Sequence, residues 1–277
     1  MANVHPSAMV SSEAELAPGV SIGPGCVIQG PVKIGANVQL IGNVYITGPA
    51  EIGDDTVIYP FACLGFPGQD FKFKPGMETA GIRVGQGCII REHATIHAAT
   101  KTARPTTVGD RCMLMVNTHV GHDASVGNNV VMVNNSALGG HSQVGDNVTL
   151  SAGVSVHQFT RVGRYAFFSG GSMVSTDVPP FCTVSNRQLL GGINRIGLRR
   201  AGFSREDITR VSDAFRTALR GGLTREEMLR TLQELGRDCA PVMEMATFVS
   251  QSTRSICVAK RMHSGVVGPV TESPLES

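Results

Sequence analysis

An aliphatic side chain recurs at every sixth position through most of this 277-residue chain. From Val4 the series runs Val10, Leu16, Ile22, Ile28, Ile34, Leu40, Ile46, Ile52, Ile58 and Leu64. It resumes at Val84, Ile90 and Ile96. A third run goes from Val108 through Leu114, Val120, Val126, Met132, Leu138, Val144, Leu150, Val156, Val162 and Phe168 to Val174. No position in this register is polar. Small side chains stand two residues before many of them, among them Ala8, Ala14, Cys26, Ala50, Ala62, Cys88, Ala94, Cys112, Ala124 and Ser136, and glycine often follows, as at Gly53, Gly85, Gly109 and Gly127. A period of six drifts around a helix of 3.6 residues per turn, so a helix is excluded. Short strands fit, because residues i and i−2 of a strand point to the same side. A corner after each strand suits Gly or Asn, which accept left-handed dihedrals. Three hexads then close one triangular coil of about eighteen residues, and coils stack about 4.8 Å apart.

Composition agrees with a narrow interior lacking large rings: 33 Gly, no Trp and 5% aromatics, within 42% hydrophobic residues that exclude wholesale disorder. A formal charge of +2 points to no nucleic-acid partner. No run of eighteen apolar residues exists, and the opening MANVHPSAMV has neither a basic nor an apolar leader segment. A cytoplasmic protein with no stable membrane insertion is expected. Seven cysteines without paired spacing read as reduced thiols, three of them (Cys26, Cys88 and Cys112) as inward core filler. The repeat predicts a β-helix over 1–186. After Asp177-Val178-Pro179-Pro180 the pattern changes to helical signals over 187–261. Ser204 with Asp207 caps a helix ended by Gly221-Gly222, Thr224 with Glu227 forms a second capping box, and Pro241 opens a third helix. The stretch 262–277 shows no periodicity and reads as a disordered tail.

The repeat is interrupted at 65–81 and 97–106, and insertions in a solenoid loop out on the binding face. Leu64, Ile96, Val120, Leu138 and Val156 fall on one face of successive coils. At the corner following it lie His97, His122, His141 and His157. One chemistry for clustered imidazoles is zinc, although stacked coils set these positions at increasing heights. The other is general-base catalysis, with Asp123 beside His122 to hold a tautomer or stabilise an imidazolium. His119 precedes its marker and points outward; His5 and His93 read as polar corner residues, and His263 lies in the tail.

Further motifs occur in order: Gly68-Gln69-Asp70-Phe71-Lys72, Ile96-His97, Asn117-Thr118-His119-Val120-Gly121-His122-Asp123, Leu138-Gly139-Gly140-His141, His157-Gln158-Phe159, Asp177 to Pro180, and Arg199 to Glu206. Together they resemble the UDP-N-acetylglucosamine O-acyltransferase family, which opens lipid A synthesis. The likeness runs from the N-terminus to about Arg254. It implies a left-handed parallel β-helix with a C-terminal helical domain, a homotrimer, and a hydroxyacyl chain delivered on the phosphopantetheine arm of acyl carrier protein with no other cofactor and no metal. It further implies His122 as base towards the glucosamine 3-hydroxyl, Asp123 as its support and the Gly140 N–H as oxyanion donor. Gln69, Asp70, Lys72, His97, His119, His141, His157 and Gln158 resemble nucleotide-sugar contacts, with Lys72 towards phosphate. Asn194 and Arg200 resemble uridine-side and phosphate-side positions, and Gly170 a position in the acyl groove where a small residue admits a longer chain.

The sequence departs from that family at Ile196, where an acidic residue is usual, at Ala201, which replaces a second arginine, and at Ala98-Ala99 after His97. Residues 187–261 carry 14 Lys/Arg against 8 Asp/Glu. A basic helical part suits an acidic carrier protein, and equally a solvated helix surface. Three other readings remain beside the O-acyltransferase: transfer to the amine of a 3-amino UDP-sugar, a zinc-dependent hydratase of the carbonic anhydrase type, and a non-catalytic β-helical scaffold.

Overall fold

A computed structural model describes residues 1–74, 76–101, 103–220 and 222–259. Short parallel strands from Asn3–Val4 to Met173–Val174 fall in turn on three sheets of eleven, nine and eight strands. On the first sheet Asn3 pairs with Ser21, Ser21 with Gln39, Gln39 with Val57, Val57 with Ile89 and Ile89 with Met113. The register advances by one coil at each step, and the insertions are absorbed between strands. Ile22, Leu40, Ile58, Ile90 and Leu114 of the aliphatic series are buried in the coil, as are Cys26, Cys88 and Cys112 in the inward slot. All seven cysteines are free thiols.

The corners carry left-handed backbone at non-glycine residues, including Asn37, Asp55, Asn129 and Asn147 after the third sheet and Asn117 and Asn135 after the first. Side-chain ladders tie one corner to the next. The N–H groups of Ala36, Gln86, Asp110 and Asn128 donate to Asp54, Asp110, Asn128 and Asp146 one coil on. Asn117 Nδ2 donates to Asn135 Oδ1 at 2.7 Å. A corner amide that would otherwise face open water thus has a fixed partner.

Outward columns differ by face. The first sheet presents an apolar run of Val57, Ile89, Met113 and Val131; the third presents Glu15, Lys33, Glu51 and Arg83, with Arg83 Nε 2.8 Å from Glu51. The two insertions meet beside the second sheet. Ala80 N–H donates to Lys101 O at 3.0 Å, Ala99 N–H to Gly81 O at 3.0 Å, and Thr79 Oγ1 to Ala99 O.

Beyond Val174, Cys182–Val184 pairs with Phe167–Phe168 and turns antiparallel onto Leu190–Ile193. Helices α1 (Arg195–Arg200), α2 (Arg205–Ala214), α3 (Arg225–Leu235) and α4 (Ala240–Gln251) follow. Both expected caps form: Ser204 Oγ accepts from Asp207 N–H, and Thr224 and Glu227 complete a reciprocal box. The antiparallel pair and α1 are absent from the sequence reading, because α1 is only six residues long and shows no period. Asn194 makes it, accepting from Gly197 N–H at 2.9 Å while its Nδ2 donates to Tyr165 O at 2.9 Å. The expected long helix from Ser204 gives way to a π-helical turn, Phe215–Leu219. Arg164 joins the two parts, bonding Glu244 of α4 at 2.6–2.9 Å and lying over the rings of Tyr165, Phe181 and Phe203. Among the described residues no helix is long and apolar enough to cross a membrane. Gly221, His263 and the expected tail 262–277 lie outside the described residues.

Because each inward aliphatic side chain touches the coils above and below it, truncation leaves a cavity that rigid coils cannot close. Leu114→Ala is expected to cost about 2–5 kcal/mol, read as a lower thermal or denaturant midpoint, whereas truncation of exposed Gln143 is expected to shift the midpoint little.

Candidate active site

His122 and Asp123 occupy the corner after His119–Val120, and His141 the corner of the next coil after Ala137–Leu138. Asp123 and His141 both adopt left-handed backbone, φ 59° in each, which turns their side chains towards His122. His122 Nδ1 lies 2.8 Å from Asp123 Oδ2. An ionised carboxylate only accepts, so Nδ1 carries the proton and Nε2 keeps its lone pair. The carboxylate is fixed in turn by Thr100, whose Oγ1 donates at 2.7 Å and whose N–H donates at 3.1 Å. Asp123 N–H donates to Thr106 Oγ1 at 2.7 Å. His141 packs edge-on against His122, ring centroids 5.2 Å apart, and its other side stacks on Phe159 at 4.5 Å.

Two glycines set the imidazole's position. A Cβ on Gly68 would fall 2.7 Å from His122 Cβ, and one on Gly140 would fall 2.6 Å from Cε1 and 2.7 Å from Nε2. Any other residue at either place would displace the ring. The Gly140 N–H has no hydrogen-bond acceptor among the described residues.

The second pair of histidines lies beside the first. His97 and His119 meet edge-on at 4.7 Å, and His119 Nδ1 is 2.8 Å from Thr95 Oγ1. Though it points outward from its strand, His119 therefore belongs to the cluster. Burial first, then the neighbouring His119 and His122, push His97 down to about 4. Burial and His122 lower His119 as well, and burial outweighs the pull of Asp123 to lower His141. Burial opposes the charge on Asp123, but hydrogen bonds from His122 and Thr100 outweigh it and hold the carboxyl below its usual range. Burial thus favours the neutral form of His97, His119 and His141 while hydrogen bonds hold the anion at Asp123.

His122, Asp123 and His141 bring potential metal-donor atoms within 4.8 Å of one another. The increase in height per coil does not separate these side chains as the sequence suggested. Asp123 nevertheless already accepts from Thr100 and His122, so an ion there would have to displace those bonds.

His157 and Gln158 stand exposed one coil above. Gln69, Asp70 and Lys72 lie on the first insertion, with Asp70 accepting the Lys72 N–H at 2.9 Å. Neighbouring Phe71 is 97% exposed. Three expected residues are not on this edge. Gly170 lies at the corner between the first and second sheets, open except for Ala152 O 3.5 Å from a built Cβ. Asn194 caps α1 and bonds the corner that carries Tyr165, while Arg200 is exposed at the other end of that helix. Ile196 is 58% exposed beside them. Thr95, Thr100, Thr106 and Phe159 carry roles that were not assigned from sequence. Thr100 sits inside an interruption, where periodicity is silent, whereas Thr106 ends it, two residues before Val108, in the small inward slot of the resuming register.

A pH dependence of stability follows from the neutral imidazoles. Below pH 6.5 the unfolded chain protonates His97, while the folded chain does so only near 4. Stability is therefore complete above 6.5 and falls as pH drops towards 4, with His119 and His141 acting in the same direction. Thermal midpoints across that window are expected to decline. Because His97 Nδ1 is buried without a partner, His97→Phe is expected to flatten the slope without orphaning another group.

Comparison with known proteins agrees over nearly the whole chain. The family model described as Udp N-acetylglucosamine O-acyltransferase, domain 2, matches residues 177–257. An acyl-(acyl-carrier-protein)–UDP-N-acetylglucosamine O-acyltransferase of Halorhodospira halophila is 39% identical over 258 residues, 92% of this chain and 99% of that protein. The protein of that name from Thermodesulfovibrio yellowstonii is 39% identical over 93% of this chain and all of its own. The crystal structure of the Francisella novicida UDP-N-acetylglucosamine acyltransferase superposes with a TM-score of 0.88 at 33% identity, covering 94% of this chain and 95% of that one. The Campylobacter jejuni enzyme gives 0.85 at 30% identity over 92% and 99%. With curated relatives 39% identical over more than nine-tenths of its length and solved structures superposing on both the β-helix and the helical end, this chain belongs to the acyl-(acyl-carrier-protein)–UDP-N-acetylglucosamine O-acyltransferase family.

Proposed function

We propose that the His122 edge transfers a hydroxyacyl chain from acyl carrier protein to the 3-hydroxyl of UDP-N-acetylglucosamine, the opening step of lipid A synthesis. The observation that carries the mechanism is the His122–Asp123 pair, with Nε2 free and the Gly140 N–H beside it. His122 Nε2 removes the proton of the 3-hydroxyl as its oxygen attacks the thioester carbonyl. The Gly140 N–H donates to the oxyanion that forms, and Asp123 stabilises the imidazolium. Collapse breaks the carbon–sulfur bond, and the phosphopantetheine sulfur leaves with the proton from His122. The products are the 3-O-acyl ester and the free thiol of the carrier. No step requires a metal or a further cofactor. His97, His119, His141, His157, Gln69, Asp70 and Gln158 hold the nucleotide sugar in this reading, with Lys72 placed towards phosphate.

The same reading makes the protein a cytoplasmic homotrimer. Two features support assembly: the apolar column Val57, Ile89, Met113 and Val131 on the first face, and the placement of His122, Gly170 and Asn194–Arg200 at three different corners. Within one chain these parts do not face a common substrate. Neighbouring chains that pack corner to face would bring them together, Gly170 into the acyl groove and Asn194 with Arg200 towards the nucleotide. The arginine-rich helical part would then receive the acidic carrier protein.

The test is an assay of hydroxyacyl carrier proteins of several chain lengths, with UDP-N-acetylglucosamine and its 3-amino analogue as competing acceptors. Ester product is expected, and loss of the base in His122→Ala is expected to lower kcat about 100- to 10,000-fold. Gly68→Ala is expected to lower kcat by tens of fold, because a misplacement of about 1 Å at a reacting group can cost about 100-fold. Turnover unchanged in His122→Ala would overturn the mechanism; preference for the amine would move the substrate assignment. A solution mass three times the 29.2 kDa chain checks the trimer.

A further inference from the structure

After α4 the chain doubles back over the last coils of the β-helix. Asp177 N–H donates to Ser255 O at 2.9 Å, and Cys257 N–H donates to Asp177 O at 2.8 Å. Bridges pair Asp177 with Ile256 and Leu189 with Val258. Arg161 Nη1 reaches Ser252 Oγ at 3.4 Å. Between these anchors lies half-buried Arg254. Its Nε and Nη2 donate to Ser175 O at 3.3 and 3.1 Å, and its Nη1 donates to Gln158 O at 3.3 Å. Gln158 and Ser175 stand at the histidine corner of successive coils, after Ser155–Val156 and Met173–Val174.

The Gln158 carbonyl also lies 3.1 Å from His157 Nδ1. A carbonyl only accepts, so Nδ1 carries the proton and His157 turns the Nε2 lone pair outward, able to accept from a sugar hydroxyl. The same corner holds Phe159 in left-handed backbone at φ 63°, its N–H donating to Gly140 O at 3.0 Å and its ring stacked on His141. One guanidinium of the C-terminal strap thus grips the carbonyl that His157 bonds, in the corner that also carries Phe159.

We infer that Arg254 is a positioning residue for nucleotide-sugar binding, clamping the Gln158 and Ser175 carbonyls so that the His157-Gln158-Phe159 corner and the His157 tautomer are set before substrate arrives. This rests on the acyltransferase reading and deepens it, since it couples the C-terminal strap to the grip on the sugar nucleotide rather than to the base. The Asp177, Ile256, Val258 and Ser252 contacts keep the strap in place without Arg254, so its loss acts on the corner. Arg210 provides the contrasting case: it donates to Leu235 O at 3.1 Å and Asp238 O at 3.0 Å wholly within the helical part.

The experiment measures steady-state kinetics of the full chain, with UDP-N-acetylglucosamine varied at saturating hydroxyacyl carrier protein, beside the nitrogen chemical shifts of the His157 ring. Arg254→Gln is expected to raise the nucleotide-sugar KM about tenfold, the equivalent of about 1.4 kcal/mol and in the range of a charged hydrogen bond, with kcat within about twofold. Arg254→Lys keeps the charge but cannot span both carbonyls, and its KM is expected to lie between. Arg210→Ala is expected to leave KM unchanged. The His157 shifts should report an Nδ1-protonated ring in the parent chain and a tautomer mixture in Arg254→Gln. An unchanged KM with an unchanged tautomer in Arg254→Gln overturns the inference, as does a fall in kcat and thermal midpoint matched by Arg210→Ala. If the parent chain fails to acylate the sugar nucleotide, the acyltransferase reading falls, and the tautomer measurement still decides whether Arg254 sets His157.

Discussion

The hydrogen-bonded step from one coil to the next, about 4.8 Å, is the dimension on which the rest of the structure depends. It stacks equivalent residues directly above one another, so one choice of side chain at one hexad position becomes a column along the molecule. Inward, the columns are aliphatic and close the core. Outward, they set an apolar run of four coils on one face and a charged run of four on another. At the corners they become ladders in which Asp and Asn oxygens accept the N–H groups of the adjoining coil.

The site uses the same step. Side chains from corners one coil apart are close enough for His122, Asp123 and His141 to share a single environment, with centroids of the two rings 5.2 Å apart. Corner backbone matters as much as distance. In the left-handed conformation Asp123 and His141 turn towards His122, and the glycines at 68 and 140 remove the atoms that would obstruct the ring. The insertions then supply what the regular coil lacks. Thr100 brings two donors to a carboxylate whose charge burial opposes, and the loop containing Gly68 covers the other side of the imidazole.

The helical end is more than a cap on the solenoid. Arg164 and Glu244 join it to one corner, and the returning strap joins it to another. Through Arg254 that strap reaches the carbonyl that His157 bonds, so a part with its own hydrophobic contacts is physically continuous with the histidine edge. The departures from the family pattern at Ile196 and Ala201 fall on the exposed surface around α1, away from the His122–Asp123 pair.

The period-six register in the sequence determined the coil, its inward residues and the edge where His97, His122, His141 and His157 gather, because parallel stacking converts sequence spacing directly into position. The caps at Ser204 and Thr224 were legible for the same local reason: a helix start is a matter of three or four neighbouring residues. Only the tertiary structure decided that His119 packs on His97 and that Thr100 joins His122 in holding Asp123. It also decided that the Asn194 side chain caps a helix, and that Arg254 grips Gln158 from 96 residues away. Those contacts come from insertions and from a strap that crosses back over the coils. Their separation in sequence carries no period, and what they touch depends on where the folded chain returns.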